Sequence, residues 1–355
     1  MNNKSNTIAV IGGGSSGMAT AAYFSRLGYP VILCDTPEHT EDYPQIRRQN
    51  GILLRGNSGQ SGCAMPELLT EVFERALEAD RVLICVPFSR QEEISRLCAL
   101  HAHPGQAFLF SPGNFGSFVL RRQLEKAGKS GVLVGEISGN LWACRRTAPG
   151  EVIVAGGLKP LRASALPAAE TGALVEAFRD MLTLIPGKNV LEVSLNSPNV
   201  ISHLSGAVLN GTQIERMGER FAFFRDGLGE NAIRCFDVLE KERDRVFAAL
   251  GFETYNPPSE GLMRKLLDKN VHDLDVFRDL DGPSSFSHRY VSEDAACGVA
   301  VLAALGRACR VQVPLTEAFL TICGVINGVD YLETGLALSD LGLSAENLTA
   351  QMAAL

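Results

Sequence analysis

The chain of 355 residues has no long apolar run and no excess of basic residues. Its longest apolar stretch, Ala295 to Gly306, has 12 residues, whereas a helix that spans a bilayer needs about 20. A net charge of −7 at pH 7 argues against a basic surface that binds nucleic acid. We therefore expect no membrane partner, no nucleic-acid partner and a cytoplasmic location.

Paired cysteines are also missing. The nine cysteines are scattered singly through apolar segments, and the sequence has neither a C-x-x-C motif nor a Cys/His cluster. Such cysteines are typical of small buried side chains in a reducing compartment. We expect neither a disulfide framework nor a bound metal.

What the sequence does contain is a dinucleotide-binding pattern near its start. An apolar run, Ile8 to Ile11, leads into G-x-G-x-x-G glycines, an Ala-rich helical segment, a second apolar run (Val31 to Cys34) and Asp35. The first glycine makes the strand-to-helix turn, the second lets the backbone approach a pyrophosphate, and the third lets the helix pack on the strand. The predicted cofactor contacts of this loop are Gly12, Gly13, Gly14, Ser15, Ser16 and Gly17.

Asp35 indicates which dinucleotide binds. It lies 18 residues after the last glycine of the pattern, close to the spacing of about 20 at which an acid holds a ribose 2′-OH. The following Thr36 and Pro37 add no arginine for a 2′-phosphate, and Arg47 and Arg48 lie too far along the chain. We predict NAD(H) in preference to NADP(H), with NADP as the alternative cofactor. The same fingerprint occurs in flavin-binding proteins, so this segment alone leaves a flavin open.

Strands and helices alternate through the first half of the chain, which predicts a mostly parallel, doubly wound sheet. Strands are expected at 51–56 and 151–157, and a helix at 66–77. After about residue 192 the periodicity becomes helical. The predicted fold class is α/β plus all-α, with an N-terminal Rossmann domain (1–192) and a helical C-terminal domain (193–355).

Three further candidates follow predicted strands of the first domain. Pro87, Pro112-Gly113 and Glu136 all fall at the carboxyl ends of predicted strands, the edge at which open α/β sheets bind ligands. Pro87 is predicted to contact the cofactor.

The helical half contains three residues that could carry chemistry. His203 lies in a segment, 196–217, that has no lysine, and it is either a buried structural histidine or a general acid/base that titrates near neutral pH. Arg289 and Asp294 lie close together, and Ser292 is a predicted N-cap. Asp294 either stabilises the first helical turn or orients His203 through a hydrogen bond.

The whole chain resembles the octopine/nopaline (opine) dehydrogenase family. That family pairs a Rossmann domain with a helical domain like that of 6-phosphogluconate dehydrogenase. The segments that carry the resemblance are spread along the chain: SPGNFGSFVLRRQLEKAG, EISGNLWACRRTAPGEVIVAGGLKPLRASALPA, NSPNVISHLSGAVLNGTQIE, FFRDGLGENAIRCFDVLEKERDRVFAALG and RYVSEDAACGVAVLAALGR.

The resemblance implies NAD(P)H-dependent reductive condensation of an amino acid with a 2-keto acid through an imine. It implies that His203 and Asp294 form the catalytic pair and that Arg289 binds a substrate carboxylate. Asn114, where family members often carry Gln, and Glu136 are implied substrate contacts. The resemblance also allows a homodimer.

Two other functions stay open at this point. One is a 2-hydroxyacid or polyol-phosphate dehydrogenase of the same two-domain plan, which commonly places a catalytic lysine on the helix that here carries His203. The other is a non-catalytic nucleotide-binding protein.

Overall fold

The computed structural model describes residues 6–255, 259 and 261–355, and the chain divides into two compact units, 1–190 and 191–355. The boundary expected from the sequence, between 192 and 193, lies close to this division. Each unit is described separately below.

The first unit contains twelve strands among the described residues. In chain order they are β1 (Ile8–Ile11), β2 (Val31–Cys34), β3 (Ile52–Gly56), β4 (Gly62–Ala64), β5 (Leu68–Thr70), β6 (Arg81–Ile84), β7 (Ala107–Phe110), β8 (Leu133–Ile137), β9 (Ala143–Ala148), β10 (Glu151–Ala155), β11 (Leu161–Ala165) and β12 (Leu184–Pro186).

Helices cover the strands of the first unit and build the second. The helices α1 to α6 are Ser15–Arg26, Tyr43–Arg48, Phe73–Ala76, Gln91–His101, Gly116–Lys126 and Thr171–Phe178, and α7, Val190–Leu195, crosses the division. The helices α8 to α18 are Pro198–Leu209, Gly211–Met217, Phe223–Asp226, Glu230–Leu250, Leu262–Leu267, Asp275–Arg278, Arg289–Asp294, Ala300–Ala308, Pro314–Asn327, Tyr331–Thr334 and Leu348–Ala354.

Eight strands form the main sheet, in the order β12-β11-β8-β7-β6-β1-β2-β5. Strands β1, β2, β6 and β7 are buried at every position and are apolar except for Arg81 at the start of β6, as expected of parallel strands covered on both faces. Their parallel registers bring the last residues of these strands to one edge, which is followed by the glycine loop, Asp35, Pro87 and Asn114. The doubly wound fold is thereby confirmed, with β11 antiparallel to β8.

Two predicted strands belong to a different sheet. β3 and β10 pair in a separate four-stranded sheet, in the order β4-β3-β10-β9. Their buried residues alternate with more exposed ones, as in a sheet packed on one face only. The helix predicted at 66–77 is wrong over most of its length, because β5 pairs with β2 there and only the short α3 is helical.

The second unit is helical, as predicted. α8 is buried along most of its length, from Val200 to Ala207, and packs against α11, α14 and α16. Among the described residues no single helix is long and apolar enough to cross a membrane; the segments Pro314–Asn327 and Tyr331–Leu341 meet that test only as a pair bent by 108°.

Candidate active site and cofactor site

The glycine loop between β1 and α1 requires glycine for steric reasons. Gly12 has φ +123°, and a Cβ there would lie 2.5 Å from the carbonyl oxygen of Cys85. A Cβ on Gly17 would lie 1.7 Å from the carbonyl oxygen of Gly12. A Cβ on Gly14, in contrast, would meet no atom within 4 Å, and no side chain caps α1 at this residue. The loop thus presents uncapped helix amides beside open space, which fits a pyrophosphate.

The other predicted contacts of this loop lie at the same sheet edge. Ser15 and Ser16 are half-buried in the first turn of α1, and the Ser15 hydroxyl accepts a hydrogen bond from the backbone N–H of Arg146 at 3.0 Å. Pro87 is half-buried after β6, and its carbonyl accepts from the backbone N–H of Arg90 at 3.0 Å. Their contacts with a cofactor remain predictions.

Asp35 is almost fully buried and is surrounded by donors. One carboxylate oxygen accepts from the backbone N–H of Gly13 at 2.6 Å and from Arg90 Nη1 at 3.1 Å. The other accepts from the backbone N–H of Thr36 at 2.8 Å and lies 2.8 Å from Arg90 Nη2 as an ion pair. The residues directly after Asp35 supply no arginine, as the sequence shows, but Arg90 reaches it from a distant part of the chain.

Arg90 is the residue of this site that the sequence analysis missed. It is 55 residues from Asp35 in sequence, so a search of the residues just after Asp35 could not find it. The available signal was topological, because Arg90 follows β6, which pairs with β1 at the same edge.

The loop after β7 carries backbone strain. Asn114 and Phe115 are consecutive non-glycine residues with positive φ, +47° and +65°, a conformation that costs energy and that clusters at functional sites. Asn114 is half-buried, and its amide has no hydrogen bond to any residue that the structure describes. It is thus available to a ligand.

Glu136 stabilises this loop by accepting hydrogen bonds from it. It is fully buried, and its carboxylate accepts hydrogen bonds from the backbone N–H groups of Phe115 and Ser117, at 3.2 and 2.8 Å, and from the Ser117 hydroxyl. A carboxylate at the start of α5 also compensates the helix dipole. These contacts support a role in positioning the loop of Asn114, and substrate contact by Glu136 stays a prediction.

In the second unit the structure brings His203 and Asp294 together, 91 residues apart in sequence. Nδ1 of His203 lies 2.8 Å from Oδ2 of Asp294, and each side chain is only 9% exposed. Because an ionised carboxylate can only accept, Nδ1 carries the proton of this hydrogen bond. The contact fixes the orientation of the imidazole ring and engages Nδ1.

Close helix packing makes this pair possible. Gly298, in the segment that follows α14, allows α8 to lie this close, since a Cβ there would lie 2.7 Å from a methyl group of Val200 on α8. Asp294 ends α14, and a π-helical segment, Ala295–Val299, joins α14 to α15. The Ala296 carbonyl of that wider turn accepts a hydrogen bond from the N–H of Leu336 at 2.7 Å. π-bulges of this kind are common at functional sites.

The start of α14 differs from the prediction. Ser292 is not the N-cap, because the helix begins at Arg289 and the His288 side chain caps it by accepting from the N–H of Tyr290. Asp294 consequently lies at the end of α14 and not in its first turn, so the helix dipole does not explain it.

Aromatic rings surround His203. Tyr290 stacks on the imidazole with ring centroids 3.6 Å apart and planes 11° apart, and Phe223 lies edge-on at 6.2 Å. The neighbouring Cys297 is a buried thiol whose pKa is raised well above its ordinary value, first by burial and then by the charge of Asp294. Cys297 therefore stays protonated and neutral.

Arg289 is exposed, and its guanidinium carbon lies 5.8 Å from the centre of the Tyr290 ring, which is itself stacked on His203. It forms no ion pair with any residue in the described part of the chain. An exposed guanidinium without an acidic partner is well suited to a substrate carboxylate.

Neither unit offers an evident metal site. Within the described residues no group of three or more His, Cys, Asp or Glu side chains is arranged to hold a metal ion. All nine cysteines are free thiols.

Comparisons with known proteins show which family the chain resembles. A family profile described as NAD/NADP octopine/nopaline dehydrogenase, alpha-helical domain, matches residues 186–327. The opine dehydrogenase of Arthrobacter sp. (strain 1C) is 30% identical over 349 residues, covering 96% of each chain.

Solved structures of similar fold include an octopine dehydrogenase with NADH and pyruvate, with a TM-score of 0.69 at 20% identity over 97% of this chain and 98% of that one. Another is a yersinopine dehydrogenase with NADP⁺ bound, with a TM-score of 0.65 at 16% identity over 98% of both chains. These identities establish likeness of fold. Together with the full-length relative, they confirm the resemblance seen in the sequence: the chain belongs to the opine dehydrogenase family of NAD(P)-dependent oxidoreductases.

Proposed function

We propose that this protein condenses an amino acid with a 2-keto acid and reduces the resulting imine to a secondary amine, and that it therefore acts on CH–NH bonds. The observation that carries the proposal is the His203–Asp294 hydrogen bond of 2.8 Å, buried beneath a stacked tyrosine. Such a pair maintains a proton donor of fixed orientation, which imine reduction needs.

In the proposed mechanism His203 holds and moves the proton. An imine accepts hydride readily only when it is protonated, and histidine carries a proton near neutral pH. Asp294 accepts from Nδ1, which stabilises the imidazolium and leaves Nε2 to exchange the proton with the substrate nitrogen. Tyr290 keeps the ring in one plane by stacking on it.

Bound NAD(P)H supplies the hydride. The glycine loop would hold its pyrophosphate against the start of α1, and Asp35, Ser15, Ser16 and Pro87 would line the rest of the cofactor site. The sequence-based preference for NAD(H) rested on Asp35 and on the lack of an arginine directly after it in sequence; Arg90 places an arginine against Asp35 from elsewhere in the chain.

The substrates carry carboxylates that the protein has to bind. We assign one carboxylate to Arg289, whose guanidinium has no acidic partner in the described chain, and a second polar contact to Asn114. Arg289 follows the cap of α14 directly, so its backbone is held while its side chain stays exposed.

The alternative dehydrogenase chemistry has less support. An enzyme of the same plan that uses a catalytic lysine would carry it on the helix of His203, and the segment 196–217 has none. A non-catalytic nucleotide-binding protein would have no need for a buried His–Asp pair close to an exposed arginine.

A substrate screen tests the proposed function. The purified protein is mixed with single amino acids and with pyruvate, 2-oxoglutarate or glyoxylate, and the loss of NADH or NADPH is followed by absorbance. We expect oxidation that needs both substrates, with a product whose mass equals the amino acid plus the keto acid plus two hydrogens minus one water. Equal oxidation with the keto acid alone would instead indicate a 2-hydroxyacid dehydrogenase.

The replacement of Arg289 by lysine tests carboxylate binding. Arg289→Lys keeps the charge and removes the planar fork, so KM for one substrate should rise by about tenfold while the affinity for NADH stays unchanged. Arg307→Lys is the matched control, because Arg307 is also exposed and forms only a loose pair with Glu317 at 3.4 Å. Unaltered KM values for both substrates in Arg289→Lys would contradict the assignment.

We also propose a cytoplasmic location, supported by the nine free cysteines, which suit a reducing compartment. The homodimer allowed by the family resemblance stays a prediction, and analytical ultracentrifugation tests it.

A further inference from the structure

The Arg90–Asp35 contact changes what the ribose end of the cofactor site can bind. An ionised carboxylate has about four acceptor sites, and Asp35 already accepts three hydrogen bonds: two from backbone N–H groups and one from Arg90 Nη1. Arg90 Nη2 lies 2.8 Å from its other oxygen as an ion pair. The acid that indicates NAD(H) in the sequence is therefore largely engaged by the chain itself, and little of its acceptor capacity is left for a ribose 2′-OH.

The charge of Asp35 is also compensated. A bare carboxylate at this place repels a 2′-phosphate, but here the guanidinium of Arg90 lies against it, with a hydrogen bond from Nη1 at 3.1 Å and an ion-pair contact from Nη2 at 2.8 Å. The guanidinium fork that matches a carboxylate matches a phosphate in the same way. Since the acid after β2 marks the ribose 2′ position, its arginine partner lies where a 2′-phosphate would be.

Arg90 is held incompletely in this arrangement. Its Nε–H is buried and has no acceptor among the described residues, and an unsatisfied buried donor is costly. A phosphate oxygen bound beside Arg90 would give this N–H an acceptor while the ion pair with Asp35 stays in place. Its other contacts are the Thr36 hydroxyl at 2.9 Å and Glu93 at 3.4 Å.

We propose that Arg90 binds the 2′-phosphate of NADP(H), so that this site accepts NADP(H) as well as NAD(H). The inference rests on the proposed function only in assigning the glycine loop to a dinucleotide. It makes Arg90 the residue that determines cofactor choice, and not a structural partner of Asp35 alone.

Two acidic side chains, Glu93 and Glu38, would repel a bound 2′-phosphate. Glu93, 47% exposed, forms a long contact with Arg90. The pKa of the exposed Glu38 is lowered mainly by hydrogen bonds from its own backbone N–H and from Thr36, and also by the charge of Arg90. Because both are exposed, solvent screens their repulsion. Removing the charge of Glu93 should therefore strengthen binding of a 2′-phosphate.

The test uses two fragments that differ only in the 2′-phosphate. Calorimetric titration of the full chain with 5′-AMP and with 2′,5′-ADP measures the contribution of that group without any catalysis. We expect wild-type protein to bind 2′,5′-ADP at least as tightly as 5′-AMP. Arg90→Ala should weaken 2′,5′-ADP by about 10- to 100-fold, the value of charge-assisted hydrogen bonds, and leave 5′-AMP unchanged. Glu93→Gln should tighten 2′,5′-ADP alone.

Matched controls separate this role from a structural one. Arg122→Ala removes another arginine, paired with Glu92 at 3.3 Å on the surface, and should change neither affinity. If Arg90→Ala does not fold, Arg90→Lys and Glu93→Gln decide, because lysine keeps the charge without the fork and should retain part of the phosphate affinity.

Other results would overturn the inference. Wild-type protein that binds 5′-AMP but not 2′,5′-ADP, or an equal loss of both ligands in the Arg90 variant, would make Arg90 a structural clamp for Asp35. Failure of the proposed function would look different: both fragments would bind as expected, but no amino acid and keto acid would be turned over.

Discussion

Replacing His203 by alanine should lower kcat by roughly 10² to 10⁴, the usual contribution of a general acid/base. Asp294→Ala should cost somewhat less, because the histidine remains but loses its orientation. The double variant should be little slower than His203→Ala alone, since residues that act as one unit give losses that do not add. The measurements are kcat and KM for all three variants with the best substrate pair from the screen.

The surface pair His272 and Asp275 provides the matched control. Its ring nitrogen lies 3.3 Å from the carboxylate, but the two side chains are 81% and 55% exposed. His272→Ala and Asp275→Ala should leave kcat unchanged. The affinity for NADH should survive in every variant, because the glycine loop belongs to the other unit. Turnover near the wild-type rate in a folded His203→Ala protein would leave the histidine with a structural role only.

Gly17→Ala should abolish most of the cofactor binding. The added Cβ would lie 1.7 Å from the Gly12 carbonyl oxygen, so α1 has to move away from β1 and its first amides leave their positions. A displacement of about 1 Å at a site can cost 10²-fold, and we expect the affinity for NADH to fall by roughly that factor. The free energy of unfolding should fall by about 1–3 kcal/mol, as overpacking usually causes.

Gly172→Ala is the control for that variant. Gly172 lies exposed in the first turn of α6, and a Cβ there would meet nothing within 4 Å. Alanine is the better helix former, so stability should be equal or higher and NADH binding unchanged. Fluorescence titration with NADH and chemical denaturation measure both quantities. Gly17→Ala protein with wild-type NADH affinity would show that the loop does not hold the cofactor.

The secondary structure that was predicted correctly follows from local sequence patterns. The order β1, α1, β2 follows from an apolar run, the spaced glycines and a second apolar run, all within Thr7 to Asp35, so short-range periodicity suffices. The helical second half was likewise visible from its period. The helix expected at 66–77 failed because pairing with β2 stabilises a strand there, and local propensity does not contain that partner.

For the candidate site, too, the sequence indicates the residues but not their contacts. The types and positions of His203, Asp294 and Arg289 were visible in the sequence and gained their expected roles from family resemblance, but no spacing rule says that side chains 91 residues apart are in contact. That contact depends on how closely α8 and α14 pack, and on the π-helical turn after Asp294, which are properties of packed helices.

The family, the doubly wound sheet with its glycine loop, and the residue types available for proton transfer and carboxylate binding can all be read from the sequence. The contacts between those residues depend on the folded chain: His203 meets Asp294 beneath Tyr290, and Arg90 meets Asp35. The difference lies in the distance along the chain over which each property is set. Secondary structure follows from neighbours a few residues apart, whereas the state of a buried carboxylate depends on whichever donors the fold brings within about 3 Å of it.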